Sequence, residues 1–347
     1  MKLLALAILA SGLAHPALAA DPAKLSAFEP GAVWLDNNGK HINAHGGGML
    51  FHDGVYYWYG EHKIEGDAGN VAHVGVHCYA SRDLYNWKDA GIALPVSTDP
   101  ASDITDGSII ERPKVIFNVK TRKFVMWFHL ELKGQGYNAA RSGVAVADQP
   151  AGPFKYLKSF RPDDSMARDQ TLFVDDDGKA YQLYASEGNA TLHISLLADD
   201  YLAPAGKFIR VFEKREMEAP AICKRDGKYY FLASGCSGWD PNDARAAVAS
   251  SIWGPWKELG NPCVGTNPSN RIGPNRTFGG QSTYIIQVQG KKDAYIAMFD
   301  LWRPKNAIDG RYLWLPVKFS GDGFKIEWSN QWDLSVFEPP LSPSALP

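Results

Sequence analysis

Cysteine, net charge and helical periodicity are scarce in this sequence, and each scarcity excludes something. Four cysteines (Cys78, Cys223, Cys236 and Cys263) in 347 residues are too few for a disulfide-built scaffold, and their spacing matches no zinc site. An exported chain has room for one bridge, with Cys236–Cys263 the expected pair. Lysine and arginine number 36 against 38 acids, a net charge of -2. With no basic run, nucleic acid and anionic membrane are not expected partners. A long apolar run occurs at the very start, Leu3 to Leu13, after Lys2 and before the small-residue site Ala17-Leu18-Ala19. Residues 1–20 therefore read as a secretory signal peptide, removed after Ala19 or Ala20. The run is too short to span a bilayer, so the product is expected to be secreted, soluble and monomeric.

Aromatics and turn residues are plentiful instead: 12% of residues are aromatic, 11 of them tryptophan. FHDGVYYWYGE (51–61) reads as strand, Asp-Gly turn, strand. The same shape returns in FNVKTRKFVMWFHLE (117–131), FVDDDGKAYQLYASE (173–187), CKRDGKYYFLASG (223–235) and IQVQGKKDAYIAMFD (286–300). A strand of small and apolar residues follows each hairpin, and several units add a fourth, turn-marked segment. Units of four strands recurring at roughly 50–65-residue intervals predict a β-propeller. The fold class is all-β, a five-bladed propeller in one domain over residues 25–340, with no carbohydrate-binding module expected after it. The early segment GAVWLD (31–36) is expected to complete the last blade.

In a propeller the innermost strand of each blade lines the channel, and its start lies at the rim of the binding face. Ahead of the five hairpins stand His45, Glu111, Asp169, Glu218 and Gln281. Each acid alone reads as a solvated turn residue; at equivalent points of successive blades they converge on one pocket. Converging carboxylates beside aromatic rings suit sugar chemistry. A glycosidic oxygen leaves once protonated, water attacks from the opposite ring face, and a crowded, desolvated carboxyl keeps its proton. Flat rings cover sugar faces.

These motifs resemble glycoside hydrolase family 43, whose members are five-bladed inverting propellers. On that resemblance Glu218, in EAP, is the general acid, and Asp169, in RDQTLFV, orients it and holds up its pKa. The first-blade aspartate that serves most of the family as base is missing, and Ala44-His45-Gly46 stands there. The pattern is similar to the branch of exo-acting galactan 1,3-β-galactosidases: Trp34, Asp36, Gly39, Ile42, Ala44 to Gly46 and Gly48, then YYWYGE. That branch places Gln281 where the base is sought, with Glu111 as a further acid in the pocket. The implied function is release of galactose from β-1,3-galactan, the backbone of arabinogalactan. A family 43 arabinofuranosidase or xylosidase and a non-catalytic sugar-binding propeller are the alternatives.

The remaining candidates are contacts. Glu61 matches a sugar-contacting position; Tyr137, Asn189, Ser237 and Trp239 fall at blade-top loops; His45 is grouped with them. Gly46, Gly47 and Gly48 read as bare backbone leaving room for a galactosyl ring, or as a tight inter-strand turn. His41, His52, His62 and His73 read as surface or packing residues. His193, in TLHI, is placed on an inner-type strand, where relatives hold calcium or water. No metal ligand set is assigned, and structural calcium is the one cofactor left open.

Overall fold

The computed structural model describes residues 24–337; the expected signal peptide lies outside them. Five antiparallel sheets follow one another along the chain. Blade I comprises β1 (His45–His52), β2 (Val55–Lys63), β3 (His73–Ser81) and β4 (Lys88–Pro95). Blade II comprises β5 (Ile109–Asn118), β6 (Lys123–Glu131), β7 (Arg141–Ala147) and β8 (Lys155–Phe160). Blade III comprises β9 (Gln170–Val174), β10 (Ala180–Ser186), β11 (Thr191–Leu197) and β12 (Pro204–Val211). Blade IV comprises β13 (Met217–Arg225), β14 (Lys228–Gly235), β15 (Ala244–Ala249) and β16 (Lys257–Gly260). Blade V comprises β18 (Gln281–Gln287), β19 (Tyr295–Leu301), β20 (Arg311–Ser320) and β21 (Gly323–Glu327), with β17 (Cys263–Val264) added in parallel to β21. The innermost strands β1, β5, β9, β13 and β18 neighbour one another in a closed ring. The turns are those the sequence marks: Asp53-Gly54 and Asp226-Gly227 both have positive φ at each residue, as a tight hairpin requires.

Period-two alternation explains why the blades stack. On β6, Phe124, Met126 and Phe128 face blade I, whereas Val125 and Trp127 face blade III. Each sheet thus has two apolar faces, and each of the five seams between blades holds one buried apolar cluster. The seam between blades V and I is the most aromatic, with Trp34, Trp58, Trp87, Trp314 and Trp332 packed around Phe28 and Tyr312.

That seam corrects the expected closure. Residues 31–36 form no strand; blade V is complete without them. The two ends of the described chain are instead tied by the Phe28–Trp332 bridge, with N–O distances of 2.7 and 3.1 Å. The indole of Trp332 donates to Trp314 O at 2.8 Å, and Trp34 packs edge-on against Trp314. Closure is a side-chain plug rather than an added strand.

The cysteine expectation is also overturned. All four cysteines are free. Cys263 is buried in the seam between blades IV and V, whereas Cys236 is exposed at the cleft described below.

The three glycines answer to packing. A Cβ on Gly46 would stand 2.3 Å from Glu61 Oε1, one on Gly47 2.2 Å from Tyr59 O, and one on Gly48 2.3 Å from Lys114 Cδ. The space a sugar was expected to use is filled by a carboxylate, a backbone carbonyl and a lysine stem. At Gly47 the obstruction is backbone and cannot swing aside. Gly47→Ala is expected to destabilise the protein by about 1–3 kcal/mol, the range for an overpacked core site. Denaturant unfolding checks it; an unchanged midpoint would show that β1 and β2 separate freely.

Candidate active site

The inner strands deliver their first side chains through a repeated irregularity. Pairing slips by one residue between Glu111 and Lys114, between Glu218 and Ala221, between His45 and Gly48, and between Ser282 and Tyr284. Such bulges re-aim side chains and are common beside active sites. Arg112 and Ala219, the residues directly after the two glutamates, have φ of 53° and 54°. Non-glycine residues held there cost on the order of 1–3 kcal/mol each, offset by what the neighbouring side chains gain.

These side chains meet at the mouth of the channel in a cleft of about 690 Å³. Glu111, Tyr137, Asp169, Asn189, Glu218, Trp239 and Gln281 line it, as the sequence suggests. A second cavity of about 670 Å³, bordered by hairpin-turn residues such as Asp226 and Gly227, contains none of the expected site residues.

Glu218 sits between two amides: Asn189 Nδ2 donates to Oε2 at 3.1 Å and Gln281 Nε2 to Oε1 at 3.0 Å. Burial, then the negative charge of Asp169, push its carboxyl up to about 7, against the pull of Arg112. Asp169 pairs with Arg112 at 3.0 Å. The same guanidinium donates to Gln281 Oε1 at 2.6 Å and to Ser282 O at 3.1 Å. It also lies over the Trp302 ring, 5.5 Å from its centre.

The Gln281 amide can face only one way. Arg112 and the Trp302 indole, at 2.9 Å, are pure donors and require the carbonyl oxygen. The NH₂ is left for Glu218 and Ser234 Oγ, each at 3.0 Å. Glu111 is caged by Asn70 Nδ2 at 2.5 Å, Tyr137 Oη at 2.6 Å and His129 Nδ1 at 2.9 Å. Burial alone would raise its carboxyl, but His129, Lys63 and Tyr137 pull it down to about 2.

Three expected contacts lie outside the cleft lining. Glu61 is buried beneath it, ion-paired with Lys63 Nζ at 2.6 Å and accepting from Arg112 N at 2.9 Å. His45 is fully buried, bonded to Asn43 at 3.0 Å and stacked on Tyr312. Ser237 spends its hydroxyl within its own loop, on Asp240 O at 2.5 Å. Trp239 stands 42% exposed, edge-on to Trp302.

Arg112, His129, Trp302 and Asn70 are the residues that sequence reasoning missed. His129 had a signal: it lies two residues from Glu131 on β6 and directly opposite Glu111 on β5. Arg112 was visible only as the middle of Glu-Arg-Pro.

Among the described His, Cys, Asp and Glu side chains, no uncommitted set of three is brought together for a structural cation. His193 is on the third strand of its blade, between Tyr184 and Glu187, and not on the channel. Glu111, His129 and Asp169 bring one ligand atom each within 4.8 Å of one another. Both nitrogens of His129 are already taken by carboxylates, however, and Asp169 is taken by Arg112.

Solved structures share this fold. The chain is similar to a family 43 β-1,3-galactosidase solved with galactodeoxynojirimycin, at 47% identity and TM-score 0.84, covering 88% of this chain and 100% of that one. It is similar to an exo-β-1,3-galactanase from Phanerochaete chrysosporium, solved as a Glu→Gln variant with β-1,3-galactotriose. There the identity is 34% and the TM-score 0.79, covering 90% of this chain and 69% of that one. Among curated proteins it is 28% identical over 197 residues to a xylan 1,3-β-xylosidase of a Vibrio species, 53% of this chain and 36% of that protein. The chain spans between 35% and 64% of the length of the curated relatives it matches. Residues 48–314 match the family described as glycosyl hydrolases family 43, and the chain belongs to that family.

Proposed function

We propose that the protein is an exported, inverting exo-β-1,3-galactanase that releases galactose from β-1,3-galactan, the backbone of arabinogalactan. One observation carries the hydrolase reading: Glu218 is a desolvated carboxyl pushed up to about 7, with the Gln281 amide donating to it at 3.0 Å. A sugar-binding propeller gains nothing from a carboxyl that keeps its proton, and a hydrolase needs one. The solved β-1,3-galactosidase and galactanase support galactan over the xylosides named for the curated relatives.

Glu218 gives its proton to the glycosidic oxygen as the C1–O bond breaks. Water adds to C1 from the opposite face, and its proton must go to a second group. Sequence reasoning favours Gln281 for that task; the orientation of its amide favours Glu111. The Gln281 oxygen already accepts from Arg112 and Trp302. Glu111 is ionised and accepts from Asn70 and Tyr137 beside its ion pair with His129, against about four acceptor sites. Asp169 disfavours ionisation of Glu218, while Asn189, Tyr137 and Trp239 border the sugar.

Incubation with β-1,3-galactan, arabinan and xylan tests the substrate. Free galactose from the first alone is expected, and pentose release from either of the others would replace the reading. Glu218→Gln should lower galactan turnover by on the order of 10² to 10⁴, with a much smaller loss on an aryl galactoside whose leaving group needs no proton. Equal losses on both would remove Glu218 from the acid's role.

The pH profile gives a second check. Activity needs protonated Glu218, so it should fall as pH rises through about 7. Asp169→Asn removes a charge that raises this pKa and should move that limb to lower pH. A limb that stays in place would leave Asp169 only a positioning role.

Azide separates the two candidates for the water's proton. It should rescue Glu111→Ala, giving galactosyl azide of inverted configuration, and not Gln281→Ala. The reverse pattern would assign the task to Gln281.

A further inference from the structure

Beneath Glu111 lies a buried ion pair, His129 and Glu131, that the proposed reaction does not use. His129 and Glu131, two apart on β6, share one face of the strand, and His129 pairs across it with Glu111. Nδ1 of His129 meets Glu111 Oε2 at 2.9 Å and Nε2 meets Glu131 Oε1 at 2.8 Å. The histidine side chain is 1% exposed and that of Glu131 fully buried. The other oxygen of Glu131 accepts from Ala140 N at 2.9 Å, and that of Glu111 from Asn70 and Tyr137. Both ring nitrogens of His129 thus lie at ion-pair distance from a carboxylate oxygen, an arrangement that favours a proton on each.

We propose that His129 is a positioning residue, a buried imidazolium that fixes Glu111 as an ionised acceptor in the cleft while Glu218 keeps its proton. The proposal rests on the reading that Glu111 meets substrate or water. Burial of an unpaired imidazolium is costly, and the two flanking carboxylates reverse that preference, holding His129 charged up to about 9. In return Glu111 gains a fixed cation and one locked rotamer. The other groups facing the pair are Lys63 on β2, ion-paired to Glu61, Arg112 on β5, Asp169 ahead of β9, and His73 on β3. His73 is turned to Ser108 O at 3.0 Å, and burial followed by Lys63 pushes it down to about 4, so it supplies no charge at neutral pH. Without His129, Lys63 and Arg112 remain, each already engaged by another carboxylate.

The test pairs spectroscopy with kinetics. In ¹⁵N-histidine-labelled protein, the resonances missing from His129→Gln should be those of an imidazolium at pH 7.5. Glu131→Gln should bring the titration of that ring down into a measurable range. His129→Gln should lose at least tenfold more kcat/KM on galactan at pH 5 than at pH 7.5, because Glu111 then protonates at higher pH. A neutral ring at pH 7.5, or a loss equal at every pH, would overturn the proposal. The resonances need no substrate, so a failure of the galactan reading leaves them decisive. If His129→Gln does not fold, wild type and Glu131→Gln carry the spectroscopic test alone.

Discussion

The guanidinium of Arg112 is the contact on which the mouth of the channel depends. It sits at a bulge with positive φ, and groups of three other blades converge on this one residue. Its backbone N donates to Glu61 of blade I, and its backbone oxygen accepts from Gln170 of blade III at 2.7 Å. Its side chain binds Asp169 ahead of blade III and Gln281 and Ser282 of blade V. Burial disfavours its charge, but Asp169, Asp300, Glu61 and Glu111 together more than restore it. A buried cation left with fewer partners would be strongly destabilising, so the acids around it are as much a requirement of Arg112 as of catalysis.

That arrangement sorts the carboxyls of the cleft into different states. Asp169 is paired with Arg112 and Glu111 with His129; each has a cation within 3.0 Å. Glu218 is approached by the amides of Asn189 and Gln281 and by the Cys236 thiol, none of them a cation, and it is desolvated. Environment, rather than residue type, thus makes one glutamate an acid and another an anion, which is the usual way a single site holds both. Gln281 fits this logic. A carboxylate at its position would bind Arg112 more strongly and add negative charge beside Glu218, further raising the pKa of the acid.

The blades could be read from the sequence because each hairpin carries its own turn chemistry and period-two pattern. Asp53-Gly54 and Asp226-Gly227 need no tertiary contact to be recognised. The acids at the strand starts could be read because equivalence between blades substitutes for spatial knowledge. What could not be read depends on contacts between residues far apart in the chain. Trp34 plugs a seam against Trp314, 280 positions on, so the segment GAVWLD looked like a strand. Gly46 to Gly48 looked like space for a ligand because nothing in the sequence shows Glu61 and Lys114 filling it. His193 and Ser237 carry the right chemistry, but the strand and loop that hold them turn it elsewhere.

The central claim is that Glu218 alone among the cleft glutamates keeps a proton near neutral pH. The most direct measurement is a ¹³C titration of the carboxyl resonances in protein labelled at glutamate, with Glu218→Gln used to assign the signal. A midpoint for Glu218 near 7, with Glu111 still ionised well below pH 4, is the result this account requires. A Glu218 midpoint close to the ordinary glutamate value of about 4.3 would contradict it.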